Sequence, residues 1–544
     1  MENGNISNQS KENYHVKIND RLNKLEILFL ISAGIIGFFI RFYYFPTNIP
    51  FTHDALDYFA YSLFIFQNGH LPIDWPIANN GWPVLVSIFY SVNSDGNFMD
   101  YTHIQRILSL SISTMTIVPM YFLAKRFFNN LFSILAATLF IFHPLIINNS
   151  LLGITEPLFL FLSILAIFLF LSKQKYNIFI SFALIATVAI IRYEGLLLFI
   201  PFSIIFFIRF KIKKKSILQY FIVTLIFLSI VIPVAYLRID TTGEDGFVSH
   251  YGAGIMYVSD DLVQGTEDDE KWIIKGENNI PVFLENGFLG LGKNFGLLLI
   301  PYFLFLVPIS FITILKKYNF QKNNYKISTI ILISIVMLLP ALYAYGRNIQ
   351  DPRFIFIILP ALCLLAIPIL QIVKEKFNHD RLFLVCFFIL ILLCSFFIME
   401  IQKNNYQHER EIYEIIKIAA SKANGINFLQ PESRYFKSAE FEIIWPNIPK
   451  TDQSNPNHIS RDIKRIFADN YDTLEDFMLA AKKNGITHMM VDEKENRVDF
   501  LKSIYKNEDE FPFLEKIYDS HENNFRYHVK IYFIDFNQYD NFKN

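Results

Sequence analysis

From about residue 25 onward, long apolar blocks alternate with short polar stretches. Eleven blocks approach membrane-crossing length, near 25–45, 104–124, 131–147, 156–172, 177–192, 195–210, 217–237, 294–315, 327–346, 353–373 and 382–401. Most run to about 18 to 24 residues, enough to cross roughly 30 Å of hydrocarbon as a helix rising 1.5 Å per residue. This pattern predicts a polytopic α-helical membrane protein with about eleven transmembrane helices. After residue 401 the pattern changes. Short β-like runs (Ile426–Leu429, Thr487–Asp492 and Tyr527–Asp535) alternate with helical patterns around 408–421, 472–484 and 496–506, predicting a small α/β domain. The expected organisation is an N-terminal tail over 1–24, a transmembrane domain over 25–401 with large loops at 46–103 and 238–293, and a C-terminal domain over 402–544.

Composition agrees with the membrane reading: of 544 residues, 53% are hydrophobic and 58 are Phe. Cys363, Cys386 and Cys394 all lie inside apolar runs and read as small membrane hydrophobes, not as a disulfide framework. The first span follows a polar leader with no small-residue cleavage site, so it reads as a retained helix. A net charge of −1 hides strong segregation. Alternate loops are basic (Lys125 and Arg126; Lys173 and Lys175; Arg209 with Lys211 and Lys213 to Lys215; Lys316, Lys317, Lys322 and Lys326; Lys374, Lys376 and Arg381), whereas 46–102 contains five Asp and no Lys or Arg. The positive-inside rule then puts the N-terminus and basic loops in the cytoplasm. The C-terminal domain becomes extracytoplasmic, and segments 46–103, 145–156, 192–195, 238–293 and 346–353 share one external face. Charge arranged this way points to a membrane and not to nucleic acid.

Ionisable residues on that face are the candidates for chemistry, because charge at membrane depth is costly and usually functional. His53, Asp54 and Asp57 follow the first span, and a helical i, i+3 spacing sets both aspartates on one face. A carboxylate there can serve as general base toward an acceptor hydroxyl. Two other readings are a helix N-cap at Thr52 or Asp54 and divalent-cation binding by Asp54 and Asp57. Glu156 in Gly153-Ile154-Thr155-Glu156-Pro157 either marks a helix start capped by Thr155 or faces a polar cavity. Arg192 and Glu194 can pair if Gly195 permits a turn. Arg106 either snorkels to the interface or meets an aspartate of the first loop. Arg347 and Arg353 flank Asp351-Pro352, where a guanidinium fork suits phosphate as well as interfacial anchoring. The C-terminal domain shows no glycine-rich phosphate loop and no metal-ligand spacing, and reads as a lid or acceptor-docking module.

In order and spacing, these segments resemble the GT-C superfamily of polyprenyl-phosphate-sugar-dependent glycosyltransferases, nearest its protein O-mannosyltransferase and aminoarabinose-transferase-like branch. The resemblance spans residues 25–400. It is carried by His53-Asp54-Ala55-Leu56-Asp57-Tyr58, Gln105-Arg106-Ile107-Leu108-Ser109, Gly153-Ile154-Thr155-Glu156-Pro157, Ile191-Arg192-Tyr193-Glu194-Gly195 and Pro352-Arg353-Phe354. It implies transfer of a sugar, with inversion, from a polyprenyl (dolichyl-type) phosphate to an external hydroxyl on a protein, lipid or glycan. Asp54, or else Asp57, matches the catalytic base. Arg347 or Arg353 would hold the departing phosphate, and His53, Arg106, Glu156, Arg192 and Glu194 would contact substrate. No cofactor is required by these residues, with Mg or Mn left open. Relatives carry Asp-Glu where this chain has His53-Asp54, and Arg-Pro-Glu-Gly where it has Arg192-Tyr193-Glu194-Gly195. The Trp-Trp-Asp-Tyr-Gly motif of oligosaccharyltransferases is missing, which disfavours en bloc transfer to Asn. The competing classes are a transporter or lipid flippase, and a scaffold displaying the C-terminal domain.

Overall fold

The computed structural model describes residues 24–250, 280–317, 325–444 and 464–543, apart from 74, 76, 78, 94–95, 404–405, 424 and 428–431. The expected N-terminal tail up to 23, residues 251–279 of the second large loop, Asp74 and Asp95 of the first, Lys322, and residues 428–429 of the first predicted strand lie outside this set.

Among the described residues, seven helices are long and apolar enough to cross a membrane: Lys24–Tyr43, Phe98–Ala124, Tyr193–Phe210, Lys214–Thr242, Tyr325–Gly346, Pro352–Lys374 and one beginning at Asp380. Two bent pairs bring the number to nine. Asn130–Ile141 meets Pro144–Ser150 at 54°, and Pro281–Leu299 meets Phe303–Ile314 at 98°. The first bend has a local cause, since Pro144 offers no N–H and forces His143 into an extended conformation (φ −65°, ψ 126°). The two bends interlock: His143 Nε2 lies 3.0 Å from the Leu298 carbonyl, and the Tyr302 hydroxyl donates to the Leu139 carbonyl. The last two expected spans form Glu156–Phe170 and Asn177–Ile191, which pack together. Each has 15 residues, about 22 Å of helix at 1.5 Å per residue and short of a full bilayer crossing. The chain is a multi-pass helical membrane protein.

The C-terminal region forms a mixed five-stranded sheet, with β1 Gly425–Asn427, β2 Lys464–Ile466, β3 His488–Asp492, β4 Leu514–Asp519 and β5 Val529–Ile534 in the order β2-β1-β3-β5-β4. β1 runs parallel to β2 and β3, whereas β5 runs antiparallel to β3 and β4. The predicted runs match β1, β3 and β5. Edge strands β2 and β4 were not anticipated, because β2 is three residues long and β4 alternates around charged Glu515 and Lys516. Helix Tyr406–Lys422, with buried Ile412, Ile415, Ile416, Ala419 and Ala420, belongs to the hydrophobic core of this sheet.

This region docks onto the segment after the first helix. Ile49 belongs to its core, the Tyr406 hydroxyl donates to the Tyr44 carbonyl (2.9 Å), and Arg410 Nε donates to the Thr47 carbonyl (3.0 Å). Ser438 donates to the Phe51 carbonyl, and Phe441 packs edge-on to Phe59. The loop that carries Asp54 is therefore clamped between the membrane bundle and the sheet domain.

Candidate active site

The conformation of residues 49–54 is set from below. Arg106, buried in helix Phe98–Met115, donates to the carbonyls of Ile49 (2.6 Å) and Pro50 (3.1 Å), and its guanidinium lies 4.4 Å from the Phe51 ring. On the other side Phe51 meets Gly153 in the left-handed region (φ +73°), where a Cβ would stand 2.7 Å from the ring. Buried Gln105 (2.6 Å) and Trp82 (3.0 Å) both donate to the Gly153 carbonyl. Only glycine combines that backbone angle with that contact. Arg106 thus meets backbone carbonyls and not a loop aspartate, correcting one expectation.

Helix Asp54–Asn68 follows directly. His53 precedes it at φ 50°, ψ −136°, a sparsely populated conformation for a non-glycine residue, with no side-chain cap. Neither Thr52 nor Asp54 caps the helix, contrary to that reading. The half-exposed Asp54 carboxylate instead meets Arg353 Nη2 at 3.2 Å.

Arg353 is positioned by its own turn. Asp351 accepts from the Arg353 backbone N–H (2.9 Å) and from its Nε (2.6 Å) at the start of the 3-10 helix Pro352–Ile358. Arg353 Nη1 lies 3.8 Å from Glu156. Glu156 begins its helix without a cap from Thr155, a further correction, and is 3% exposed at its side chain; it pairs directly with Arg192. Arg192 turns back to Glu194 at 2.8 Å, as the sequence anticipated. The turn depends on Gly195, where a Cβ would stand 2.8 Å from the Val188 backbone. The result is one continuous chain of charge, Glu194–Arg192–Glu156–Arg353, forking to Asp351 and Asp54. Its inner half is buried, where losing one partner strands a charge in a low dielectric.

Asp54 and Arg353 line a cavity of about 740 Å³. The membrane bundle supplies one side through Arg106, Asn148, Asn149 and Leu152. Tyr406, Glu409, Arg434 and Tyr435 complete the lining, with Tyr406 and Tyr435 near Arg106. There the Glu409 carboxylate accepts from Arg434 and from the Tyr435 hydroxyl, each at 2.5 Å. Burial, then the Glu409 hydrogen bond and charge, push the Tyr435 phenol up. These four residues escaped the sequence analysis because Glu409 and Arg434 stand 25 positions apart with no local motif. The pair Asn148-Asn149 did carry a signal: two amides ending an otherwise apolar run.

Five predicted residues lie outside the lining of this cavity: Glu156, Arg192 and Glu194 line a smaller pocket with Arg353, and Asp57 and Arg347 sit apart from both. Asp57, one turn beyond Asp54, is not among the cavity's lining residues and lies in the field of Lys437 of the C-terminal domain. Arg347 approaches Tyr343, with Nη1 3.4 Å from the hydroxyl, in keeping with interfacial anchoring. Asp54 and Asp57 do not fit a divalent cation. Asp54 is engaged by Arg353, Asp57 does not line the cavity, and among the described residues no group of three His, Cys, Asp or Glu is placed to hold one.

No protein-family model matches the sequence, and no curated protein matches it. Solved structures do match the fold. The oligosaccharyltransferase of Archaeoglobus fulgidus tethered to an acceptor peptide aligns with a TM-score of 0.55 at 12% identity, covering 88% of this chain and 70% of that one. The same protein in complex with Zn and sulfate aligns at 0.55, with 13% identity and 92% and 72% coverage. Archaeal AglB from that organism, with an inhibitory peptide and a dolichol-phosphate, aligns at 0.53, with 13% identity and 89% and 72% coverage. The chain shares the fold of these archaeal oligosaccharyltransferase structures.

Proposed function

We propose that this chain, a multi-pass membrane protein with the GT-C fold, is a glycosyltransferase that moves a sugar from a polyprenyl-phosphate donor to a hydroxyl acceptor. The observation that carries this reading is the Asp54 carboxylate on the wall of a 740 Å³ cavity, oriented by Arg353. In the reaction, Asp54 accepts the acceptor's hydroxyl proton as the oxygen attacks sugar C1. The new O–C1 bond forms as the bond from C1 to the lipid phosphate oxygen breaks, inverting the anomeric centre and releasing polyprenyl phosphate. Arg353 keeps Asp54 aimed. Glu156, Arg192 and Glu194 fix Arg353 from behind.

The dolichol-phosphate and the acceptor peptide named for the archaeal structures support a lipid-phosphate donor and a protein acceptor, with lipid or glycan acceptors served by the same chemistry. The division at residues 24 and 401, the cytoplasmic N-terminus, and the extracytoplasmic location of cavity and C-terminal domain belong to this proposal. They rest on the segregation of basic loops. The test is transfer of radiolabel from a polyprenyl-phosphate sugar to an acceptor by the purified chain in proteoliposomes. The bent spans favour a transporter as the second reading. Solute counterflow without sugar transfer would establish it in place of the first.

A further inference from the structure

Charge is divided unevenly around the cavity. On the Asp54 side the lining sets two carboxylates, Asp54 and Asp351, against the one guanidinium of Arg353, with Glu156, Arg192 and Glu194 behind it. All three nitrogens of Arg353 face a carboxylate: Nε faces Asp351, Nη2 faces Asp54 and Nη1 faces Glu156. A phosphate arriving there would meet a net negative wall and a committed fork.

The bundle side has the opposite character. Arg106 lines the cavity, is 4% exposed, and bonds only to two backbone carbonyls. Of five guanidinium N–H donors, two are used, and Nε is buried without a partner. Asn149, on the adjoining helix Pro144–Ser150, also lines the cavity and is 4% exposed, and its Nδ2 has no partner. The two helices are held together by the Ser109 hydroxyl donating to the Ser150 carbonyl (2.9 Å). Behind them Arg41, fully buried, donates to Ser150 Oγ (3.1 Å), Ser113 Oγ (3.1 Å) and two carbonyls, with no carboxylate among its partners. Two buried guanidiniums without counterions, and two buried donors without acceptors, are costly unless an anion completes them.

We propose that the Arg106–Asn149 wall binds the phosphate group of the donor, so that Arg353 orients the base and does not hold the leaving group. Resting on the glycosyltransferase reading, this assigns the two ends of the reaction to different residues of one cavity lining. A phosphate fits because it is acceptor-only and anionic, matching donors that have no partner. The C1–O bond to be broken would then lie between the anion wall and the base.

The test is binding of a long-chain polyprenyl monophosphate, of the matching polyprenol and of inorganic phosphate to the full chain in nanodiscs. Wild type is compared with Asn149→Leu, Asn149→Asp and Arg106→Lys. The proposal expects Asn149→Leu to weaken the phosphorylated lipid roughly tenfold, the size of one charge-assisted hydrogen bond. Asn149→Asp should weaken it further, with polyprenol binding unchanged. Competition by inorganic phosphate in wild type but not in Asn149→Asp supports recognition of the phosphate itself, and the ratio of the two affinities separates a lipid headgroup from a free anion. Unchanged affinity for the phosphorylated lipid in both Asn149 variants overturns the proposal, as does an equal loss for polyprenol. Wild type that binds neither lipid overturns the glycosyltransferase reading itself.

Discussion

The Arg353 guanidinium lies 3.2 Å from the Asp54 carboxylate across 299 positions of sequence. With Asp54 half exposed, the pair adds little stability. Its consequence is orientation: a carboxylate on the wall of a cavity, held in one direction.

Replacing Asp54 with Asn removes the proton acceptor while preserving shape. Sugar transfer should fall by about 10²- to 10⁴-fold, the usual share of a general base, with the melting temperature close to wild type. Asp57→Asn, outside the cavity lining, should retain most activity. Initial rates with a radiolabelled donor check both, and a larger loss in Asp57→Asn would reassign the base.

Glu156→Gln leaves Arg192 with Glu194 alone in a buried setting and removes one of three carboxylates near Arg353. Breaking a buried pair from one side costs about 3–5 kcal/mol. A clearly lowered Tm in detergent is expected, along with reduced transfer because Arg353 loses its rear support.

A methyl group at Gly153 would collide with Phe51 at 2.7 Å, and φ +73° disfavours any side chain. Gly153→Ala should therefore displace the 51–54 loop and cost about 1–3 kcal/mol. Activity should fall more steeply than stability, which paired Tm and rate measurements will show.

Acid should loosen the β4–β5 edge. Burial works upward on Glu508, but hydrogen bonds and charge from Lys530 and Lys516 outweigh it and hold the carboxyl below its ordinary value. Partial burial also works upward on Asp519, where bonds from His521 and the charge of Lys516 win. For a lowered carboxyl, the unfolded state binds more protons over the window between the folded and ordinary values. Stability is complete above the ordinary carboxylate range of about 4 and is lost as pH falls through it, at no more than about 1.4 kcal/mol per unit for each group. Hydrogen exchange of 514–534 in the full chain should accelerate below that range, and less so in Glu508→Gln.

Much of this architecture was readable in one dimension, for a physical reason. Membrane helices satisfy their own backbone hydrogen bonds, so apolar length alone locates them, and loop charge follows insertion. The bilayer reading, the helical pattern of 408–421 and the strands near 426, 488 and 529 all came from that local information. So did the candidates Asp54, Glu156, Arg192 and Arg353, each a costly charge beside an apolar run. Tertiary structure alone decided how they are used. Arg353 joins Asp54 and Glu156, Arg106 holds carbonyls and not an aspartate, Asp57 stays out of the cavity lining, and Glu409 with Arg434 closes the cavity. These pairings span tens to hundreds of residues, and side-chain charge acts over a few ångströms of space. No periodicity along the chain encodes which charges will meet.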